Sequence, residues 1–149
     1  MRKILFYYSL TGNAKLVASK LKELDNEYEL RELKTKRKMP KAFFFKVLTG
    51  GFLAGIGKKD KLVDVNLEVS EEDQITIVSP IWNGRTVPAV NGLLNSCKFI
   101  DTNLNFVFTS GSGELGKAKT KLNKLYPNSD IICLKEPLQY NDELNKLKR

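Results

Sequence analysis

Short apolar runs alternate along this chain with stretches long enough to hold amphipathic helices, and that alternation restricts the possible fold more than any other feature. Runs rich in β-branched and aromatic residues predict strands at residues 3–9, 28–33, 74–79, 105–110 and 130–134. Helical spacing of apolar residues predicts helices at 12–24, 87–97 and 114–125, with a short one near 142–148. The runs "ITIVS" and "IICL" are almost continuously apolar, as expected of strands covered on both faces. Strands joined by helix-length segments imply βαβ units, a parallel sheet and right-handed crossovers. The expected fold class is α/β, a three-layer, doubly wound sheet of five parallel strands.

A chain of 149 residues that is 42% hydrophobic can bury a sizeable core, and a single domain over 1–149 is expected. It has no histidine, which excludes Ser-His and Cys-His nucleophiles and His-ligated metals. The two cysteines, Cys97 and Cys133, fall in a helix-like and a strand-like segment and read as small buried apolar residues of a reducing compartment. The start, "MRKILFYYSL", has a short apolar run leading into "TGNAK" without a cleavage site, so it reads as a buried strand. The stretch "AFFFKVLTGGFLAGIG" is too short and too interrupted by Lys46 to span a membrane. A cytoplasmic location is expected.

Charge is concentrated in the long connection between the second and third strands. Residues 31–61 hold ten basic side chains against two acidic ones, an excess equal to the chain's whole net charge of +8. Within that connection, residues 41–48 are predicted helical, ended or bent by the glycine pair at 50–51.

Ligands of doubly wound sheets bind beyond the carboxyl ends of the strands, and three of the loops there are unusual. The first, "YSLTGNAKL", offers the Ser9 and Thr11 hydroxyls, Gly12 and the first turn of a helix, which together suit a phosphate; equally, Ser9 and Thr11 fit the role of helix caps. The second, "SPIWNGRTVP", carries Trp82, the only tryptophan. Asn83–Gly84 predicts a turn that places Trp82 beyond the strand end, where it can stack on a flat ligand or return to the core. The third, "TSGSGELG", exposes backbone donors and acceptors.

With "YSLTGN" closing the first strand, "PIWNG…VPAV" the third and "TSGSG" the fourth, the chain resembles the flavodoxins, and closest the short-chain flavodoxin-like proteins with a P-I-W-x-G loop. The likeness spans nearly the whole chain. It implies a sheet in the order 2-1-3-4-5 and non-covalent FMN. By that resemblance Ser9, Leu10, Thr11, Gly12, Asn13 and Ala14 hold the ribityl phosphate. Pro80, Ile81, Trp82, Asn83 and Gly84 wrap the flavin ring, and Ser110, Gly111, Ser112 and Gly113 border its pyrimidine side. Two positions depart from the family: Ala14 stands where it usually has a hydroxyl residue, and Asn83 where it has a second Trp. The second departure opens one face of the ring.

Within the third loop, "GSGELG" also matches the dinucleotide fingerprint G-x-G-x-x-G, with Glu136 about twenty residues on. Such a fingerprint normally sits on the first strand of its fold, whereas here one strand remains. A phosphatase of this topology needs Cys and Arg in the first loop, and a response regulator needs Asp ending the third strand; neither is present. The resemblance implies low-potential electron transfer through bound FMN, with no catalytic side chain and no metal. An FMN-dependent reductase oxidising NAD(P)H on a quinone or flavin is the alternative, and a chain that has lost FMN and only binds a partner is a third reading. The basic segment reads as a solvated loop, as a dock for an acidic redox partner or NADPH, or as a membrane-surface contact. Nucleic acid is the poorest fit because no base-reading motif is present.

Overall fold

The computed structural model describes residues 1–36 and 59–148. Strand β1, Lys3–Tyr7, buries Ile4, Leu5 and Phe6 completely, and its alternating side chains serve both faces of the sheet. Leu5 points to the side covered by α1, Asn13–Leu24, whose buried Ala14, Val17 and Ala18 lie on one helical stripe. Ile4 and Phe6 join the opposite core. The chain returns as β2, Tyr28–Glu32, an edge strand parallel to β1. After the long connection come β3, Gln74–Trp82, and a two-residue partner, β4, Arg85–Thr86, leading into α2, Pro88–Ser96. A short 3₁₀ turn, Asp101–Asn103, precedes β5, Leu104–Ser110; α3, Lys117–Leu125, and β6, Asp130–Lys135, follow.

The parallel strands lie in the order β2-β1-β3-β5-β6, with β4 attached antiparallel to the end of β3. Apart from β4, this is the expected 2-1-3-4-5 sheet. Two cores sandwich it. On one face α1 and the C-terminal segment pack Val17, Leu144 and Leu147 on Leu5, Val78, Val107 and Leu134. On the other, α2 and α3 bring Val90, Leu93, Ala118 and Leu122 onto Ile4, Ile77, Phe106 and Phe108. The three-layer, flavodoxin-like arrangement follows from strands apolar on both sides.

Most boundaries shift by a residue or two from the sequence reading, β1 stopping at Tyr7 rather than at residue 9, and four differences have a clear cause. β3 runs three residues further, through Pro80, Ile81 and Trp82. Pro80 is tolerated there because β1 ends two residues earlier, with Tyr8 N–H donating to Val78 O, so no strand requires a donor at position 80. α3 starts at Lys117 rather than at 114, because Gly113 and Gly116 take positive φ, outside helical geometry. The C-terminal helix is a 3₁₀ segment, Asn141–Leu147, whose Leu144 and Leu147 reach the core one tight turn apart. Cys97 is not inside a helix but caps the end of α2, with its Sγ donating to Leu67 O.

The helix expected at 41–48, its glycine pair and Phe43–Phe45 lie outside the described residues. The flanks of that connection meet: Thr35 bridges Leu62, Lys36 N–H donates to Lys61 O at 3.0 Å, and Val63 N–H donates to Lys34 O at 2.9 Å. Lys34, Lys36, Lys59 and Lys61 are exposed there. Arg31 is not: 6% exposed, it lies over the Phe6 ring, donates to the carbonyls of Asn66 and Glu68, and pairs with Glu29. Its charge holds the segment before β3 against the sheet and is withdrawn from any docking surface. Among the described residues no helix is long and apolar enough to cross a membrane.

Candidate functional site

The loops after β1, β3 and β5 are consecutive along the carboxyl edge of the sheet because those strands are neighbours. Strands sit ~4.8 Å apart, so the first loop and the loop after β5 are separated by on the order of 10 Å.

In the first loop Ser9 Oγ accepts the Gly12 N–H at 3.1 Å, and Gly12 begins α1 in the left-handed region. Ser9 therefore shapes the turn, which differs from the helix-capping role the sequence left open for Ser9 and Thr11. It does not cap the helix proper: α1 has no side-chain cap and no acidic residue in its first turn. The N–H groups of Asn13, Ala14 and Lys15 find no acceptor among the described residues. That end of α1 is an open donor set at the positive pole of the helix, suited to an anion. Ala14 offers only its N–H, because its side chain is buried under α1. Thr11 is exposed and Leu10 half-buried. Asn13 spans two segments: its amide donates to Thr11 Oγ1, and its Oδ1 accepts the Leu138 N–H at 2.9 Å. The turn after β6 thus rests on the first loop, with Leu138 against Gly12.

The second loop is a tight hairpin. Asn83 and Gly84 have φ of 50° and 69°, both left-handed as a type I′ turn requires, and Trp82 pairs across it with Arg85. Trp82, expected beyond the strand end, is the last residue of β3. Its half-buried ring packs on the α2–α3 core and meets Tyr8 edge-on at 6.1 Å, linking the first and second loops. The core role left open in the sequence is thus part of the answer.

The hairpin lies directly on the third loop. Gly84 O accepts the Ala118 N–H at 2.7 Å, and a Cβ on Gly116 would stand 2.6 Å from Gly84 Cα. The last glycine of "GSGELG" is therefore explained by a backbone crossing with the hairpin, a role that owes nothing to a dinucleotide. Ser110 Oγ accepts the Gly113 N–H and holds the third loop in a turn.

Between hairpin and third loop is a cavity of about 540 Å³. It brings together Ile81, Asn83, Gly84, Ser110, Gly111 and Ser112 from the expected set, and adds Arg85, Glu114, Gly116 and Lys117. Ser9–Ala14, Pro80, Trp82 and Gly113 do not line it. Arg85 was legible once Asn83–Gly84 is read as a hairpin turn, since it is then the cross-strand partner of Trp82. Lys117 follows the glycine run immediately. Cys133 lies beside Ser110, 3.5 Å from its Oγ, and burial pushes its thiol pKa up, so it is poorly suited to nucleophilic work. Among the described residues no three acidic or cysteine side chains cluster as metal ligands would.

Comparison with solved structures agrees with this architecture. A flavoprotein of Lactobacillus acidophilus, crystallised in complex with FMN, is 19% identical with a TM-score of 0.58, the alignment covering 99% of both chains. A provisionally named flavoprotein of Bacteroides uniformis is 19% identical with a TM-score of 0.69, covering 99% of this chain and 98% of its own. Another so named, from Bacteroides eggerthii, is 18% identical with a TM-score of 0.67 over the same shares. No protein-family model and no curated protein matches the chain. At these identities the likeness establishes the flavodoxin-like fold.

Proposed function

We propose that this chain binds FMN non-covalently across the three loops and transfers electrons through it. The observation that carries the reading is the open donor set at the start of α1, one strand away from the cavity between hairpin and third loop. A phosphate fits the first, and a planar ring of moderate polarity fits the second. Support also comes from the fold shared with a flavoprotein crystallised with FMN. The P-I-W-x-G loop belongs to the proposal: Asn83 and Gly84 face the ring from the hairpin, while Trp82 braces the hairpin against Tyr8. Ser110–Gly113 border the ring from the other side. Bound FMN supplies the redox chemistry; the side chains bind, orient and shield it, and none acts as acid or base.

A reductase accepting hydride from NAD(P)H is the second reading, favoured by the exposed Asn83, which leaves one side of the cavity open. Its docking surface would be the flanking lysines Lys34, Lys36, Lys59 and Lys61, which equally suit an acidic redox protein. An acidic partner or NAD(P)H is proposed ahead of a membrane surface, and a cytoplasmic setting is part of the same proposal.

The test is titration of the purified chain with FMN, followed by flavin absorbance and fluorescence. Saturable quenching of flavin fluorescence is expected. No quenching at any FMN concentration sinks the cofactor reading. Turnover of NADPH with a quinone and no added reductase selects the enzyme over the carrier.

A further inference from the structure

The cavity between hairpin and third loop is lined by two basic residues, Arg85 and Lys117, and one acidic residue, Glu114. We infer that Arg85 and Lys117 stabilise the negative charge of reduced FMN and so set its potential above that of a low-potential carrier. The inference rests on the FMN reading and assigns to that site two residues it did not include.

The backbone at both positions is held in place. Arg85 is fixed in register opposite Trp82 by the type I′ turn. Lys117 follows Gly116, on which Gly84 is seated, and the next N–H is bonded to Gly84 O. Hairpin and third loop therefore bring the two residues to the wall of one cavity as a unit. Among the described residues neither cation has an ion-pair partner, so no fixed carboxylate neutralises either one. The other carboxylate nearby, Glu136, stands beside Gly111 and does not line the cavity.

The chemistry makes the sign definite. Oxidised FMN has a neutral ring. Two electrons and one proton, arriving together as hydride from a reduced nicotinamide or separately with dithionite as reductant, leave the ring an anion. A cation beside it binds the reduced form more tightly than the oxidised form, and that ratio of affinities is the shift in potential. Glu114 acts in the opposite sense. Because the cavity is open to solvent, the effect falls as salt screens it.

The experiment measures two quantities on the full chain: the affinity for oxidised FMN by fluorescence, and the two-electron midpoint potential by equilibration with a reference dye. Arg85→Gln and Lys117→Gln are each expected to lower the reduced-to-oxidised affinity ratio about tenfold, ~30 mV for a two-electron couple. Glu114→Gln is expected to raise it, and Arg85→Lys and Lys117→Arg to keep the wild-type value. Potentials unchanged in both Gln variants, with oxidised FMN bound as in the wild type, overturn the inference. Failure of the wild type to bind FMN overturns the cofactor reading as well, a distinct result. Should Arg85→Gln not fold, Lys117→Gln on the exposed start of α3 decides alone.

Discussion

Glycines that look equivalent in "GSGELG" carry unequal burdens. Gly116 has φ of 60° and abuts Gly84 backbone to backbone, whereas a Cβ on Gly111 would meet nothing nearer than Glu136 Oε1 at 3.9 Å. Gly116→Ala must push the hairpin off the third loop, at a cost on the order of 2–4 kcal/mol, and should weaken FMN binding with it. Gly111→Ala should stay within about 0.5 kcal/mol of wild type in urea unfolding. A dinucleotide fingerprint would reverse that ranking, since its first glycine makes the tight turn. Charge at single residues is equally specific. Asp73 is buried and accepts hydrogen bonds from Ser70 N–H, from Arg2 N–H and from the Arg2 guanidinium, which hold its carboxyl well below the usual range. A depressed carboxyl stabilises the fold above its unfolded pKa, near 4, and that stability is lost as pH falls further. Asp73→Asn should therefore flatten the decline in urea midpoint below about pH 4. An undiminished slope in that variant would show that the decline belongs to Asp25, Glu29 and Glu143, which are also depressed.

Among the elements, β5 supplies two of the large buried side chains of the core it shares with α2 and α3. Phe106 and Phe108 are fully buried, their rings 5.5 Å apart and nearly parallel, and Tyr126 just past the end of α3 packs on Phe106 at 5.9 Å. Phe106→Ala should cost about 3–5 kcal/mol in equilibrium unfolding. A loss below 1 kcal/mol would mean that β5 and α3 are less tightly joined than this packing requires. The element boundaries show how local sequence signals are overruled. The N-G pair correctly marks a turn, but a type I′ turn prolongs strand pairing on both sides, so β3 keeps Trp82 and gains β4. The apolar spacing of residues 114–116 resembles a helix, yet Gly113 and Gly116 must satisfy contacts with Lys135 and Gly84, and α3 starts later. Neither contact partner is near in sequence, so neither could be read from the chain.

At the scale of the whole molecule, pH behaviour follows from composition and burial together. With no histidine, no side chain has an ordinary pKa between about 5 and 8. Stability should be flat across that range. Above it, burial raises the pKa of Cys97, Cys133, Tyr7 and Tyr126, so the unfolded chain ionises first and stability declines as pH rises. A thermal-unfolding midpoint measured from pH 5 to 10 should show a plateau and then a fall; a sigmoidal step near pH 6.5 would contradict it. The +8 charge, by contrast, is not a uniform property of the surface, since Arg31 is buried while its lysine neighbours at the described flanks are exposed.

The amino-acid sequence by itself determined the order of the five parallel strands and of the α-helices α1, α2 and α3, though not β4 or the 3₁₀ form of the last segment, because strands apolar on both faces and amphipathic helices of matching length admit little besides a covered parallel sheet. It also marked the three loops at the carboxyl edge of the sheet, since hydroxyls, glycines and a tryptophan at strand ends are local signals. Only the tertiary structure decided which of those residues share a cavity. The crossing of Gly84 over Gly116, the bracing of Trp82 on Tyr8 and the meeting of Arg85 and Lys117 at one cavity each join residues far apart in the chain. Their distances are set by how the sheet's neighbours pack.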